Sequence, residues 1–180
     1  MVAPYEAVDG IELISAAKSK GIRFVQLQFT DIIGAVKAVT IPMHQLEGSV
    51  KHGTWFDGSS VEGFTRIAES DQYLMPDMRT FSEIPWQRGD GPRGTARVIC
   101  DVFTPRGEPF VGDPRFVLRR QVERAKKLGY LVNMGPELEF FLFRRDDDGK
   151  VAPLPHDLAG YFDFSTDLAQ EVRQDMVDAL

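Results

Sequence analysis

Gly135-Pro136-Glu137-Leu138-Glu139-Phe140-Phe141-Leu142-Phe143 sets two carboxylates two residues apart inside a strongly apolar run. The run predicts a β-strand, in which residues i and i+2 project from the same face. Glu137 and Glu139 then share a face with Phe141 and Phe143, while Leu138, Phe140 and Leu142 take the other. Two like charges roughly 6.5–7 Å apart repel one another and lose hydration, so the pair needs cations or basic partners nearby. Hard divalent ions such as Mg²⁺ or Mn²⁺ prefer oxygen ligands. The spacing lets each Glu serve a different ion of a pair held about 3.5–4 Å apart. An edge strand with a solvated Glu face fits this stretch equally well.

The elements around this run are predicted from their end signals. Upstream, a helix spans Pro114 to Leu128, with Asp113 as N-cap, Pro114 at the first helical position and Gly129 as stop. Leu118, Val122 and Ala125 lie on one of its faces. Downstream, Arg144 to Lys150 reads as a hairpin turn, because its acidic run lacks the twelve-residue ligand spacing of a calcium loop. A last helix starts at Ser165 or Thr166 and places Leu168, Val172, Met176 and Leu180 on one face. It has no C-cap glycine, and no further strand follows to pair with the Glu137/Glu139 run, so the sequence is expected to be a portion of a longer protein.

Towards the N-terminus, a helix is predicted from Gly10 to Lys20, with Asp9 as N-cap, Glu12 in the capping-box position, and Gly21 as stop. Its buried stripe is Ile11, Ile14 and Ala17. Ile22 to Phe29 and Ala35 to Ile41 form a hairpin about the turn Thr30 to Gly34, and Pro42 to Val50 forms a short helix. Lys51 to Ser70 is expected to be a loop, and Pro76 to Arg97, with three prolines, to be irregular. Gly89-Asp90-Gly91-Pro92-Arg93-Gly94 matches G-x-G-x-x-G, but it neither follows a strand nor opens a helix, which rules out a dinucleotide fingerprint. Ala96 to Phe103 is a strand, and the turn-rich Thr104 to Pro109 marks a domain boundary.

Composition excludes several function classes. A net charge of −6 with mixed signs and no basic stripe argues against nucleic acid and anionic membranes as partners. No run approaches the ~18 apolar residues of a membrane span, and the start lacks a signal peptide, so the expected location is cytoplasmic. The one cysteine, Cys100, lies in an apolar run and is expected to be a buried structural thiol. Ser59 and Ser60 sit in no G-x-S-x-G elbow and form no evident triad with His44, His52 or His156, which removes a serine hydrolase.

Phe56-Asp57-Gly58-Ser59-Ser60, then eight residues, then Glu69-Ser70-Asp71-Gln72-Tyr73-Leu74, closely resembles the N-terminal signature of glutamine synthetase of bacterial type I. Gly135 to Phe141 is similar to that family's metal-ligand strand, and Pro109 to Arg115 also fits. The resemblance implies an α+β fold: a β-grasp-like N-terminal domain over 1–105, then the start of an antiparallel-sheet catalytic domain over 106–180. It implies ATP-dependent ligation of ammonia to the γ-carboxylate of glutamate through γ-glutamyl phosphate, with two Mg²⁺ or Mn²⁺ ions per site. Glu139 would bind the ion nearer glutamate and Glu137 the ion bridging the ATP phosphates. Asp57 would belong to the ammonium site, with Ser60 supporting it, in a loop that serves the neighbouring subunit of a homo-oligomer, a dodecamer of two hexameric rings. Arg66 matches the position that the alpha subdivision uses in feedback inhibition by glutamine. The family's remaining metal, nucleotide and glutamate residues lie beyond position 180, so this stretch alone is expected to be inactive. The alternatives are a γ-glutamyl-amine ligase, against which the intact Asp57 loop argues, and a truncated, non-catalytic assembly or regulatory subunit.

Overall fold

The computed structural model describes residues 10–61, 63, 71–87, 94–155, 157–160, 162–164 and 166–179. Asp9, Arg66, most of the Gly89–Gly94 loop, Ser165 and Leu180 therefore lie outside the described residues. The chain divides into two compact units, Met1–Val132 and Asn133–Leu180.

Helix α1 (Gly10–Ser19) ends where expected, with the N–H of Gly21 donating to the Lys18 carbonyl. Strands β1 (Ile22–Thr30) and β2 (Val36–Pro42) pair antiparallel, from Phe24 opposite Pro42 to Thr30 opposite Val36. Asp31 builds the turn between them: its Oδ1 accepts from the N–H groups of Ile33 at 3.1 Å and Ala35 at 2.8 Å. A 3₁₀ turn, Met43–Gln45, leads into α2 (Leu46–His52), so the predicted short helix is two joined segments.

Two expectations change in the next stretch. The predicted loop holds a short strand, β3 (Thr54–Asp57), and the predicted irregular region holds most of a 13-residue strand, β4 (Asp71–Glu83). Pro76 had argued against a strand, but β3 has ended before it and the ladder to the next strand changes register between Asp77 and Ser82. Thr80 spans that irregularity. Its hydroxyl donates to the Asp77 carbonyl and accepts from the N–H of Ile99, both at 2.8 Å, which replaces a lost ladder bond. Strand β5 (Gly94–Phe103) completes a mixed sheet of order β2-β1-β5-β4-β3, in which only β1 and β5 run parallel.

One face of this sheet carries the core. Val25, Leu27, Leu74, Ala96, Val98, Cys100 and Val102 pack with Ile14, Ala17 and Leu46 from α1 and α2. Burying such side chains stabilises a domain by roughly 1.5–3 kcal/mol each, so this layer defines the β-grasp-like α+β architecture expected from the sequence. Cys100 is buried as expected.

Helix α3 (Pro114–Lys127) has the predicted ends: Asp113 Oδ1 accepts from the Arg115 N–H at 3.0 Å, and Gly129 adopts φ 84°. Leu118 and Val122 on its apolar face are exposed.

In the second unit, the predicted Gly135–Phe143 strand is not formed. Residues 130–142 have no regular structure, and the strand there, β6, covers only Phe143–Arg145. An extended segment becomes a strand when a neighbour takes up its N–H and C=O groups. Among the described residues, no strand pairs with 135–142. β6 pairs with β7 (Val151–Pro155) about the predicted turn, closed by Asp146 and Lys150. The last helix, α4 (Gln170–Ala179), begins later than predicted and leaves Leu168 outside. Two aspartates explain the shift: Asp157 Oδ2 takes the Leu168 N–H at 2.9 Å, and Asp167, paired with Arg173, accepts from the Ala169 N–H at 3.0 Å.

Candidate functional site

Asp57 closes strand β3, opposite Asp71 on β4, and is the residue from which the chain turns into a 3₁₀ segment, Gly58–Ser60. Asp57 Oδ1 accepts from the N–H of Ser59 at 2.9 Å and from its hydroxyl at 2.6 Å. The Ser60 hydroxyl lies 3.4 Å from Oδ2. The Ser59 hydroxyl, followed by the Ser59 N–H, holds the Asp57 carboxyl below the ordinary carboxylate range against a smaller opposing effect of desolvation. Asp57 is therefore an exposed, ionised carboxylate whose Oδ2 is less engaged than its Oδ1. Such a group suits a small cation that donates hydrogen bonds.

The backbone leading to Asp57 depends on Gly53, which takes φ 75° and ψ 171°. A Cβ there would stand 2.5 Å from Cδ2 of Tyr73. Sequence reading grouped Gly53 with a generic polar loop, yet it sets the direction in which β3 enters the sheet.

Glu137 and Glu139 lie in the segment of the second unit that has no regular structure, both exposed. Phe141 and Phe143 stack with ring centroids 6.1 Å apart, so the two-residue alternation holds where the run enters β6. The oxygen donors are chemically right for a hard divalent ion. Among the described residues, no three His, Cys, Asp or Glu side chains stand close enough together to hold one. The described residues therefore assemble no complete coordination shell around Glu137 and Glu139. Ser59, which sequence reading placed in the motif without a role, is Asp57's main partner, while Arg66 lies outside the described residues.

A charged cluster that sequence reading missed joins β4, β5 and α3. Asp77 is fully buried and receives Arg79 Nε at 2.9 Å and Arg115 Nη2 at 2.7 Å. Arg115 Nη1 reaches Asp101 Oδ1 at 2.9 Å, and Arg119 Nη2 reaches the same oxygen at 2.5 Å. Burial alone would raise the Asp77 pKa, but the bonds from Arg79 and Arg115 outweigh it and hold it down at about 2. Asp113 accepts from the Val102 N–H at 3.2 Å through Oδ2, which fixes the start of α3 on β5, and burial raises its pKa. In the second unit, a cavity of about 740 Å³ is lined by Asp157, Phe162, Phe164 and Arg173. Its Asp157 is engaged by backbone N–H groups, and it includes neither Glu137 nor Glu139.

Two family models match the chain: the β-grasp domain of glutamine synthetase over residues 21–105 and the glutamine synthetase catalytic domain over residues 111–180. Among curated proteins, the glutamine synthetase of Halobacterium salinarum is 51% identical over 164 residues, covering 91% of this chain and 36% of that protein. That of Thermus thermophilus is 51% identical over 172 residues, covering 94% and 39%. The chain thus spans less than two-fifths of the length of these relatives. A solved structure of GmaS with ADP is 28% identical with a TM-score of 0.57, covering 64% of this chain and 26% of that one. Plasmodium falciparum glutamine synthetase, at 20% identity and a TM-score of 0.59 over 69% of this chain and 24% of its own, shares the fold.

Proposed function

The chain belongs to the glutamine synthetase family, and we propose on that premise that it is the N-terminal part of an enzyme that ligates ammonia to the γ-carboxylate of glutamate. The observation that carries the proposal is the match of both family domains, in order, across residues 21–105 and 111–180. Those matches also support the division into a β-grasp domain over 1–105 and a catalytic portion over 106–180. ATP would phosphorylate the γ-carboxylate, and ammonia would displace phosphate from the acyl phosphate. The ADP held by the related GmaS structure supports use of a nucleotide.

Asp57 is assigned the ammonium site. Its Oδ1 is occupied by Ser59, so Oδ2 is the oxygen that would accept a hydrogen bond from NH₄⁺. A carboxylate with a lowered pKa is a good counter-ion and a weak base. Asp57 would therefore hold and orient the cation, taking its proton only as nitrogen commits to the acyl carbon. Ser60, beside Oδ2, steadies that oxygen. Glu139 would hold the divalent ion nearer glutamate and Glu137 the one nearer the ATP phosphates, Mg²⁺ or Mn²⁺ in each case. Bound there, such ions supply the positive charge that stabilises a transferring phosphoryl group. Arg66 is assigned to feedback inhibition by glutamine, and the parent to a cytoplasmic homo-oligomer, a dodecamer with sites shared between subunits.

The test is to express the complete reading frame that carries this sequence and measure glutamine formation with ATP, glutamate and ammonium. Ammonium-dependent turnover of roughly 1 s⁻¹ or more, with methylamine a poor substitute, supports the proposal. Preference for the amine would replace ammonium with an amine as substrate, and no turnover with either would overturn it. Residues 1–180 alone should show no turnover.

A further inference from the structure

The face of the sheet opposite the core is braced from β3 to α3, starting at Trp55 on the strand that ends at Asp57. Cross-strand partners share a face. Asp57 lies opposite Asp71, Trp55 opposite Tyr73, Tyr73 opposite Phe103, and Met75 opposite Asp101. With the two-residue alternation, this puts Asp57, Trp55, Tyr73, Asp77, Phe103 and Asp101 on one face. Ring contacts link β3, β4 and β5 on this face. The Trp55 and Tyr73 ring centroids are 5.2 Å apart, and the Tyr73 and Phe103 rings stack at 5.5 Å. Beyond them, Asp101 and the fully buried Asp77 meet the guanidinium of Arg115, which bonds to both.

We infer that Arg115 is a positioning residue for the Asp57 loop: by clamping Asp77 and Asp101 at once, it fixes the sheet that carries Asp57 against helix α3. The inference rests on the proposed role of Asp57 in binding ammonium. Burying carboxylates under arginines costs desolvation that well-packed apolar groups would not incur, so such a cluster is weak evidence for stability and better suited to specifying one arrangement. Arginine suits the task because its planar fork reaches two carboxylates in fixed directions, whereas a lysine is a single point charge. A fixed seat for α3 on β4 and β5 holds the sheet in which β4 pairs with the strand that ends at Asp57.

The experiment is a kinetic comparison in the full-length protein of wild type, Arg115→Lys, Asp101→Asn and Asp57→Ala, with the KM for ammonium, glutamate and ATP measured separately and folding checked by circular dichroism. A displaced binding group costs up to ~100-fold per ångström. Arg115→Lys should therefore raise the ammonium KM by ~10-fold and leave the glutamate and ATP KM within about twofold. A folded Arg115→Lys with the wild-type ammonium KM, or with all three KM raised alike, overturns the inference. Should Arg115→Lys fail to fold, the near-isosteric Asp101→Asn, which weakens one of the two clamped carboxylates, is judged by the same criteria. Asp57→Ala separates the two claims. An unaltered ammonium KM in Asp57→Ala removes the functional reading on which the inference rests, while a raised one beside an unresponsive Arg115→Lys removes the positioning role alone.

Discussion

Arg115 on helix α3 places Nη2 2.7 Å from Oδ2 of Asp77 on strand β4, and Asp77 is 1% exposed. A buried carboxylate on a sheet is thereby neutralised by a guanidinium arriving 38 residues later in the chain. Arg79, two residues on from Asp77, supplies the second partner at 2.9 Å. Together they make the start of α3 part of the first unit's packing, although the helix's own apolar residues Leu118 and Val122 are exposed.

Asp77 gives a stability prediction with a definite sign in pH. Its folded pKa, about 2, lies below the ordinary carboxylate value. The unfolded chain therefore binds the proton more readily, so the stabilisation is present above about pH 4 and is lost as pH falls towards 2. Asp77→Ala should lower the urea-unfolding free energy at pH 7 by about 1.5–3 kcal/mol, because it removes the acceptor that Arg79 and Arg115 share while Arg115 keeps Asp101. The difference between wild type and variant should shrink between about pH 4 and pH 2. A difference that is constant across that range would show that Asp77 acts through packing and not through its charge.

Gly53→Ala should destabilise the protein by about 1–3 kcal/mol, since φ 75° with ψ 171° is essentially restricted to glycine. The new Cβ would also press on Tyr73 at 2.5 Å. Thermal unfolding reports the loss. A melting temperature within a degree or so of wild type would show that β3 can enter the sheet by another path.

Cys100 should resist thiol reagents in the native state. Burial pushes its thiol well above the ordinary range, and the thiolate is the reactive form. Labelling with a chromogenic disulfide should be slow in buffer and fast in urea, with a rate that follows unfolding. Rapid labelling in buffer would mean that the β5 core opens locally.

Glu137→Gln and Glu139→Gln in the full-length protein should each weaken Mn²⁺ binding by ~10-fold or more in calorimetry. Both side chains are exposed here, so far-ultraviolet circular dichroism should not change. Unaltered Mn²⁺ affinity in both variants would return the pair to a solvated acidic face.

A shared active site predicts complementation. Full-length Asp57→Ala and Glu139→Ala, each nearly inactive, are unfolded together and reassembled. In a closed ring of head-to-tail contacts, about a quarter of sites then draw an intact loop and an intact segment from two neighbours. Activity should recover towards about a quarter of wild type. Mixed oligomers verified by mass spectrometry yet no more active than either parent would place the whole site within one chain.

Local chemistry made much of this protein legible from its sequence. Gly21 and Gly129 end helices, Asp31 and Gly34 turn a hairpin, and Asp113 with Pro114 starts α3, because each acts within a few residues of itself. The spacing of Asp57, Ser59 and Ser60 likewise announced a loop whose hydrogen bonds are local. What required tertiary structure was every feature that depends on a distant partner. Strand β4 passes through Pro76 because β3 pairs only as far as Leu74 and Pro76 stands opposite Cys100 on β5, and Thr80 bridges the irregularity that follows. The Asp77–Arg115–Asp101 cluster joins residues from three separate elements. The Glu137–Glu139 run shows the same dependence from the other side: its alternation reads as a strand, but a strand exists only where a neighbour accepts its backbone hydrogen bonds, and no described strand does so there.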